Sequence, residues 1–269
     1  MDLLCWYLGC SKSGYYDWVR RGQPIHNKLD SSKATAIVQI HRQRPARGRR
    51  QVMMLLERQY GIHMCLGSVH RYMKRLGIQS IRKHKPMLPK KETQSPATFP
   101  NVLKQDFRVS SGTPTKWVTD VTYLPCTDGI LYLSCIKDLG DKSIVAYELS
   151  NKNDLRLVMN MLQKVKSKIQ AGTILHSDQG AQYQSPIYHA FLKAHGMVGS
   201  MSRKATPYDN ASMESFFSLL KNEELKHIGS LCSKQMRLTV EKFIHFYNFH
   251  RPQMALQKLT PFEYGSQFF

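Results

Sequence analysis

The stretch "TKWVTDVTYLP", residues 115–125, decides how the second part of this chain folds, because apolar and polar residues alternate along it as they do in a strand. A near-continuous apolar run, "GILYLSCIKDL", follows at 129–139, and a short β-branched run, "SIVAYELS", follows at 143–150. An Asp-Gly and a Gly-Asp dipeptide, both typical of tight turns, separate the three runs. We therefore predict three consecutive strands joined as an antiparallel meander.

Helical and strand patterns alternate after the third strand. The segment "DLRLVMNMLQKVKSKI" (154–169) has one apolar helical face, and "TILHS" (173–177) reads as a strand. A helix, "SPIYHAFLKAHG" (185–196), precedes a short strand, "MVGSM" (197–201), and the helix "KQMRLTVEKFIHFYNFH" (234–250) lies near the end. We predict an α/β fold in which helices pack on a mixed sheet.

The region before the strands reads as helices only. They are "KATAIVQIHRQ" (33–43), "RRQVMMLLERQY" (49–60) and "SVHRYMKRLGI", which begins at Ser68 after a turn at Gly61. In the last helix apolar residues recur at i, i+3, i+4 and i+7, and basic residues fall on other faces. This layout is typical of a helix-turn-helix DNA reader, although many solvated helices also carry a charged face. The basic residues that we expect to contact DNA here are Arg49, Arg50, Arg71, Lys74 and Arg75.

A proline-rich segment, "IRKHKPMLPKKETQSPATFPN", separates the two regions. It contains four prolines and few apolar residues, which is typical of a linker. Its Lys83 and Lys85 either increase solubility or, as we expect beside a DNA reader, contact phosphates. The predicted regions are an all-α DNA-binding region at 1–81, a basic linker at 82–114, and the α/β region with a helical tail at 115–269.

The charge of the chain indicates a polyanionic partner. Of 269 residues, 39 are Lys or Arg and 19 are Asp or Glu, which gives a formal net charge of +20. Solubility requires far less, and a nucleic acid matches this excess better than a membrane surface does. No run approaches the ~20 apolar residues of a membrane span. Six cysteines without a C-x-x-C pair indicate reduced thiols in a cytoplasmic protein.

Two acids occupy strand positions where a purely structural acid is not expected. Asp120 lies inside the first predicted strand, where a carboxylate among apolar neighbours is costly unless something compensates it. Asp178 directly follows the strand at 173–177, and α/β sheets place their sites at the carboxyl ends of strands. Both positions therefore favour a chemical role.

A third acid, Glu214, lies on the edge of an apolar helical stripe. Asn210 and Lys221 fall on the same edge, so an amide, a carboxylate and an ammonium lie in a row along one side of the helix. We expect Asp209 or Asn210 to cap this helix. Taken alone, Glu214 is better explained by the preference of a first turn for acids. The stripe itself consists of Met213, Phe216, Phe217 and Leu220.

Together the three acids predict a metal site. Carboxylates that converge on one point repel one another unless a cation neutralises them. Because no His or Cys cluster has ligand spacing, the ligands are hard oxygens, which suit Mg²⁺ or Mn²⁺. Two such ions about 3.5–4 Å apart support a phosphoryl displacement. A basic chain with an acidic metal pocket indicates an enzyme that cuts or joins a phosphodiester backbone.

These residues resemble those of a known superfamily. Asp120, Asp178 and Glu214, the last two separated by 35 residues, are similar to the catalytic acids of DDE transposases and retroviral integrases. Lys221 matches the basic residue that this group usually carries seven positions after its glutamate. The blocks "HSDQGAQYQS", "SMSRKATPYDNASMESFFSLLKNE" and "FYNFHRPQMALQKLTPFEY" more narrowly resemble the second-reading-frame (OrfB) product of bacterial insertion-sequence-three-type transposases.

The resemblance implies an RNase H-like catalytic core, preceded by a helix-turn-helix, and a metal-assisted reaction. A nick at the transposon end exposes a 3′-OH, which then attacks another phosphodiester and joins the strands. By resemblance Asp120, Asp178 and Glu214 hold two Mg²⁺ or Mn²⁺ ions, and Lys221 contacts DNA phosphate near the cut. The residues expected to line the approach of the DNA are Ser202, Arg203, Lys204 and Asn210.

The resemblance also implies partners. They are double-stranded DNA, as terminal repeats and target, further copies of this chain on the DNA, and an upstream reading-frame product joined by frameshifting. The implied location is the bacterial nucleoid. Two other interpretations are a non-catalytic DNA-binding regulator of transposition and an RNase H-like nuclease. The chain departs from the family pattern at Arg47 and Gln253, which we expect to affect docking of the helical region and not the chemistry.

Overall fold

The computed structural model describes residues 2–7, 9–22, 29–79, 99–104, 106–107, 109, 114–202 and 210–268. The helices are α1 (Asp2–Tyr7), α2 (Lys12–Arg20), α3 (Ser31–Gln43), α4 (Arg49–Tyr60), α5 (Leu66–Arg75), α6 (Leu155–Val165), α7 (Pro186–Ala194), α8 (Ala211–Leu219), α9 (Ser233–Phe249) and α10 (Pro261–Phe268). The strands are β1 (Lys116–Cys126), β2 (Gly129–Asp138), β3 (Ile144–Ser150), β4 (Ile174–Ser177) and β5 (Val198–Met201).

The five strands form one mixed sheet in the order β3-β2-β1-β4-β5. Neighbours among β1, β2 and β3 are antiparallel, which confirms the predicted meander. β4 pairs with β1, and β5 with β4, in parallel. The parallel pair β4 and β5 is joined through α7, as parallel neighbours need a crossover connection. The predicted α/β class is confirmed.

Alternation along β1 assigns its side chains to two faces of the sheet. Val118 and Leu124 pack in one hydrophobic cluster with residues of α8 and α9. Trp117 packs in a second cluster with residues of α6 and α7. Asp120 shares the face of Val118, since side chains two residues apart along a strand point the same way. Helices α8 and α9 therefore lie on the face of the sheet that carries Asp120.

Helices α3, α4 and α5 form a separate hydrophobic core. α4 ends at Gly61, whose φ of 64° is the left-handed conformation that commonly closes a helix. α5 begins at Leu66 and not at the predicted Ser68. Val69 and Met73 are buried, as the apolar pattern predicts. The helix, turn and basic helix expected of a DNA reader are all present.

Ion pairs attach this helical region to the end of the chain. Arg58 of α4 donates to both carboxylate oxygens of Glu263 on α10, at 3.0 and 2.6 Å. Lys258 Nζ lies 2.6 Å from Glu57 Oε2. Pairs as exposed as these contribute little stability individually, but a bidentate pair is geometrically specific. They define how α4 lies against α10.

The end of the predicted linker packs on the sheet. The ring of Phe99 lies so close to Gly199 that a Cβ added there would stand 2.6 Å from it. Leu103 is buried in the cluster beneath α9. The backbone N–H groups of Val102 and Leu103 donate to Ser200 Oγ at 3.0 and 3.2 Å. This segment therefore covers the edge strand β5, which would otherwise present unpaired backbone groups.

The structure describes all six cysteines of the chain. All six cysteines are free thiols. Cys135 is fully buried in β2, and burial raises the pKa of its thiol well above the ordinary value. Among the described residues, no helix has the length and apolar character needed to cross a membrane.

Candidate active site

Two of the three predicted acids lie side by side at the sheet. β1 and β4 are parallel, with Val118 paired to His176. The same register continued by two residues brings Asp120 next to Asp178. Both side chains fall on the face that α8 covers, because residues two apart share a face. The strand acid and the strand-end acid are thus neighbours.

A backbone N–H group orients each of these carboxylates. Val121 N donates to Asp120 Oδ1 at 2.8 Å, and Gly180 N donates to Asp178 Oδ1 at 2.9 Å. Gly180 permits this approach, because a Cβ at that position would lie 2.9 Å from Asp178 Oδ1. Hydrogen bonds to an ionised carboxylate are short and directional, so both acids are held in defined orientations.

A buried tyrosine, which the sequence analysis missed, lies close to both acids. Tyr183 is 1% exposed, and its hydroxyl lies 3.4 Å from Thr119 Oγ1. Burial raises the pKa of this hydroxyl well above its ordinary value, and the charges of Asp120 and Asp178 raise it further. Because both carboxylates act on one hydroxyl, their negative potentials overlap in a small volume. Tyr183 therefore remains a neutral group beneath the acids.

Helix α8 carries the third predicted acid. Glu214 is exposed and lies beside the stripe that faces the core. The helix backbone is thus held rigidly while the Glu214 carboxylate stays accessible. The residues of the stripe, all buried as predicted, are Met213, Phe216, Phe217 and Leu220.

Two side chains fasten α8 and the turn after it to β1. Asn210 Nδ2 donates to the carbonyl oxygen of Thr119 at 3.2 Å, and Lys221 Nζ donates to Thr122 Oγ1 at 2.6 Å. Lys221 Nζ also lies 4.8 Å from the centroid of the exposed Tyr123 ring. Asn210 occupies the predicted N-cap position, but its side chain forms no capping hydrogen bond. Its Nδ2 donates to β1, and its Oδ1, the atom that could accept from the helix, has no partner among the described residues.

A buried lysine supports the first turn of α8. Lys137 on β2 is 6% exposed and donates to the carbonyl oxygen of Ser212 at 3.0 Å. Burial, and to a smaller extent the charge of Arg251, lowers the pKa of Lys137 to about 8. Lys137 is not among the residues predicted above, although a lysine inside an apolar strand run is a signal of a buried polar contact.

The oxygen donors present fit a hard divalent cation. Among the described residues, no three His, Cys, Asp or Glu side chains lie close enough to hold one metal ion, so Glu214 does not complete a cluster with Asp120 and Asp178 in this conformation. The side-chain oxygen of Asn210 is buried and accepts no hydrogen bond from the described residues. Carboxylate and amide oxygens suit Mg²⁺ or Mn²⁺ better than Zn²⁺.

The basic residues predicted to contact DNA fall into two groups. Arg71 and Arg75 are exposed on α5. A groove of about 960 Å³ between α4, α5 and residues 251–255 is lined by three more of them, Arg49, Arg50 and Lys74. Lys221 binds β1, as described above, and the other basic contacts predicted, Lys83, Lys85, Arg203 and Lys204, lie outside the described residues.

Two residues expected to line the approach of the DNA are buried instead. Asn210 is 6% exposed and Ser202 is 8% exposed. Ser202 Oγ lies 3.0 Å from His176 Nε2, and its carbonyl accepts a hydrogen bond from Gln179 at 3.1 Å. Burial favours a role for Asn210 and Ser202 in holding the site together, because neither side chain presents a surface to DNA.

A mixed sheet in this order, with one acid on β1, a second directly after the adjacent strand β4 and a third on a covering helix, defines the class of RNase H-like nucleic-acid processing enzymes. Two families described as integrase core domain match residues 111–207 and 195–261. A family described as HTH-like domain matches residues 28–86.

Relatives among known proteins narrow this class to one family. The insertion element IS600 31 kDa protein of Shigella sonnei is 32% identical over 262 residues, which cover 96% of each chain. Transposase InsF for insertion sequence IS3A of Escherichia coli strain K12 is 30% identical over 270 residues, 98% of this chain and 93% of that protein. A transposase-like protein of Haemophilus influenzae is 39% identical over 168 residues, 62% of this chain and 77% of the relative. The chain belongs to the family of insertion-sequence transposases with an integrase core, and it is a DDE-type polynucleotidyl transferase.

A solved structure agrees with the fold. The cryo-EM structure of the simian T-cell lymphotropic virus intasome in complex with PP2A regulatory subunit B56 gamma matches 86% of this chain and 73% of that chain, with a TM-score of 0.50. The sequence identity is 11%, so the likeness concerns the fold alone. The predicted RNase H-like fold with a preceding helix-turn-helix region is confirmed.

Proposed function

We propose that this transposase nicks DNA to expose the 3′ ends of an insertion sequence and joins those ends to a target, with divalent metal ions. The observation that carries the proposal is the neighbouring pair Asp120 and Asp178 beneath a helix that presents Glu214. In the first step a water oxygen displaces the bridging oxygen of a phosphodiester and leaves a 3′-hydroxyl. In the second step that hydroxyl attacks a phosphodiester of the target, the 3′-oxygen of the target strand leaves as a hydroxyl, and the strands are joined without a covalent enzyme intermediate.

The three acids are the proposed metal ligands. Asp120, Asp178 and Glu214 would hold Mg²⁺ or Mn²⁺, with two ions as the expected number. When bound, such ions activate the attacking oxygen and stabilise the leaving oxygen. The anchors of α8, Asn210 and Lys221, keep Glu214 on the face of the sheet where both aspartates lie.

Basic residues of both regions are the proposed DNA contacts. Lys221 contacts phosphate near the cut, which its attachment to β1 two residues beyond Asp120 supports. The groove between α4, α5 and the segment after α9 is basic and open to a phosphate backbone. Phosphate contacts position a protein on DNA without reading its sequence. The proposed contacts outside the catalytic core are Arg49, Arg50, Arg71, Lys74, Arg75, Lys83 and Lys85; those at the approach to the site are Arg203 and Lys204.

The proposed partners follow from this reaction. They are double-stranded DNA, as terminal repeats and target, and further copies of this chain assembled on it. An upstream reading-frame product, fused by frameshifting or bound as a partner, would add end recognition. The net charge of +20 supports an association with the nucleoid.

A joining assay tests the proposal. The chain, with and without the upstream product, is incubated with Mg²⁺, a target plasmid and a labelled duplex that ends in the terminal repeat of the element. We expect strand-transfer products from the wild type and none from Glu214→Gln. Glu241→Gln, at an exposed acid on α9, is the matched control and should join at the wild-type rate.

Each other outcome has a defined meaning. Hydrolysis without joining indicates an RNase H-like nuclease, and binding of the duplex without chemistry indicates a regulator of transposition. If Glu214→Gln nicks and joins at wild-type rates, the assignment of Glu214 is wrong.

A further inference from the structure

The turn that follows α8 joins parts of the chain that are distant in sequence. Residues Leu220–Glu224 form a π turn directly after the helix that carries Glu214. Lys221, which binds β1, belongs to the same turn. π turns within helices occur frequently at functional sites. Two acids close this turn, Glu223 and Glu224, and each binds a different region.

Glu223 binds the segment after α9. Arg251 donates through Nε and Nη2 to the two carboxylate oxygens of Glu223, at 3.2 and 3.0 Å. The two side chains are only 9% and 2% exposed. A bidentate pair with so little solvent around it fixes the orientation of both partners.

Glu224 binds the helical region. Arg44, the residue after α3, forms an ion pair with Glu224, and both side chains are mostly buried. The guanidinium carbon of Arg44 also lies 4.1 Å from the centroid of the Phe246 ring on α9. Arg47 approaches the same ring at 5.6 Å. The helical region therefore contacts the catalytic region at the end of the helix that carries Glu214.

We propose that Glu224, in the turn that Glu223 fixes to the segment after α9, is a positioning residue that couples docking of the helical region to the placement of Glu214, and thereby to metal binding. The inference rests on the proposed role of Glu214 as a metal ligand. The first turn of α8 is held by the sheet through Lys137, whereas its last turn depends on the π turn. Glu214 lies in that first turn, so loss of the contact with Arg44 should let α8 tilt about its contact with Lys137 and shift the Glu214 carboxylate.

A pair of matched variants tests this coupling. Glu224→Gln and Glu263→Gln each remove one charge from an ion pair between the helical and catalytic regions, and only Glu224 lies next to α8. Hydrogen exchange of the full chain measures the order of residues 211–224, and electron paramagnetic resonance titration measures binding of Mn²⁺ alone. We expect Glu224→Gln to speed exchange in 211–224 and to weaken Mn²⁺ binding about tenfold, the low end of the loss seen when a support that orients a metal ligand is removed.

The control and the reversed pair make the test decisive. Glu263→Gln should leave both measurements within about twofold of the wild type, and the swap of Arg44→Glu with Glu224→Arg should restore much of the Mn²⁺ affinity. If Glu224→Gln has the hydrogen exchange and the Mn²⁺ affinity of the wild type, the proposal is wrong. Equal effects of Glu224→Gln and Glu263→Gln also overturn it. They would show that any ion pair between the two regions affects α8 equally, so Glu224 would have no special role.

Failure of the underlying assignment gives a different result. If Glu214→Gln binds Mn²⁺ as the wild type does, Glu214 is not a ligand and the proposed function fails. The exchange of residues 211–224 in Glu224→Gln still reports whether the π turn holds the helix. The two ideas therefore fail independently.

Discussion

Single residues set the orientation of the acids. Asp120 and Asp178 each accept a hydrogen bond from a backbone N–H within the next two residues of the chain. These two hydrogen bonds do not depend on contacts between elements, because in each case the donor and the acid belong to the same short segment. At Asp178 it does require a glycine, because the carboxylate occupies the space of a side chain at Gly180.

Gly180→Ala should therefore impair catalysis. The added Cβ would lie 2.9 Å from Asp178 Oδ1, so the carboxylate must turn away from its proposed ligand position. We expect the single-turnover nicking rate and the Mn²⁺ affinity to fall about tenfold or more. Gly67→Ala on α5 is the control, because no atom lies within 4 Å of a Cβ there. Gly180→Ala with both wild-type values would show that the orientation of Asp178 does not limit the reaction.

At the scale of elements, α8 is the part whose placement matters most. Its apolar stripe packs against the sheet, as the sequence predicts, and this packing holds the helix on the sheet. Polar contacts with β1 and β2 fix its position, and the buried Lys137 provides the contact to its first turn.

Lys137 should give the chain a characteristic dependence of stability on pH. The pKa of Lys137 is about 8 in the folded chain, against 10.5 for an ordinary lysine. Between these values the unfolded chain binds a proton that the folded chain does not, so this group makes the free energy of unfolding rise with pH, by about 3 kcal/mol in all. The positive charge of Arg251 favours the neutral form of Lys137. Lys137 Nζ also lies 5.9 Å from the centroid of the Tyr247 ring.

Denaturant unfolding at a series of pH values measures this contribution. From pH 8 to 10.5 the free energy of unfolding of the wild type should rise relative to that of Lys137→Met. Lys168→Met, at an exposed lysine after α6 on the other face of the sheet, should follow the wild type. Parallel curves for the wild type and Lys137→Met would mean that Lys137 titrates normally.

At the scale of the whole molecule, charge determines how the chain meets DNA. The net charge of +20 is spread over both regions, and the groove between them brings Arg49 and Lys74 opposite residues 251–255. A duplex in this groove would contact both regions at once. Binding should therefore depend steeply on salt, because each neutralised phosphate releases a counterion.

The slope of log K against log salt concentration is proportional to the number of phosphates that the protein neutralises. Changing Arg49→Ala or Lys74→Ala should reduce the slope of log K against log salt concentration by about 1 each, and should weaken binding to all sequences similarly. Lys168→Ala, on the face of the sheet away from α8 and α9, should leave the slope unchanged. Fluorescence anisotropy with a labelled duplex at several salt concentrations gives the slopes. An unaltered slope for both groove variants would place the DNA elsewhere.

The sequence by itself determined the elements. Strands β1 to β3 and helices α4, α6 and α9 follow from the spacing of apolar residues, since periods of two and 3.6 are set by local backbone geometry. Asp120, Asp178 and Glu214 could also be selected from the sequence, because each stands against the pattern of its own element or at its end. These are properties of segments of about ten residues.

Only the tertiary structure decided which of these residues meet. The order of the sheet places β4 beside β1, and this brings Asp178 next to Asp120 across nearly sixty residues of chain. It also decided that Asn210 binds β1 instead of capping its helix, and that Arg44 reaches Glu224. No local pattern encodes such contacts, because they depend on how whole elements pack, and the energy of a buried polar group depends on the partner that packing supplies.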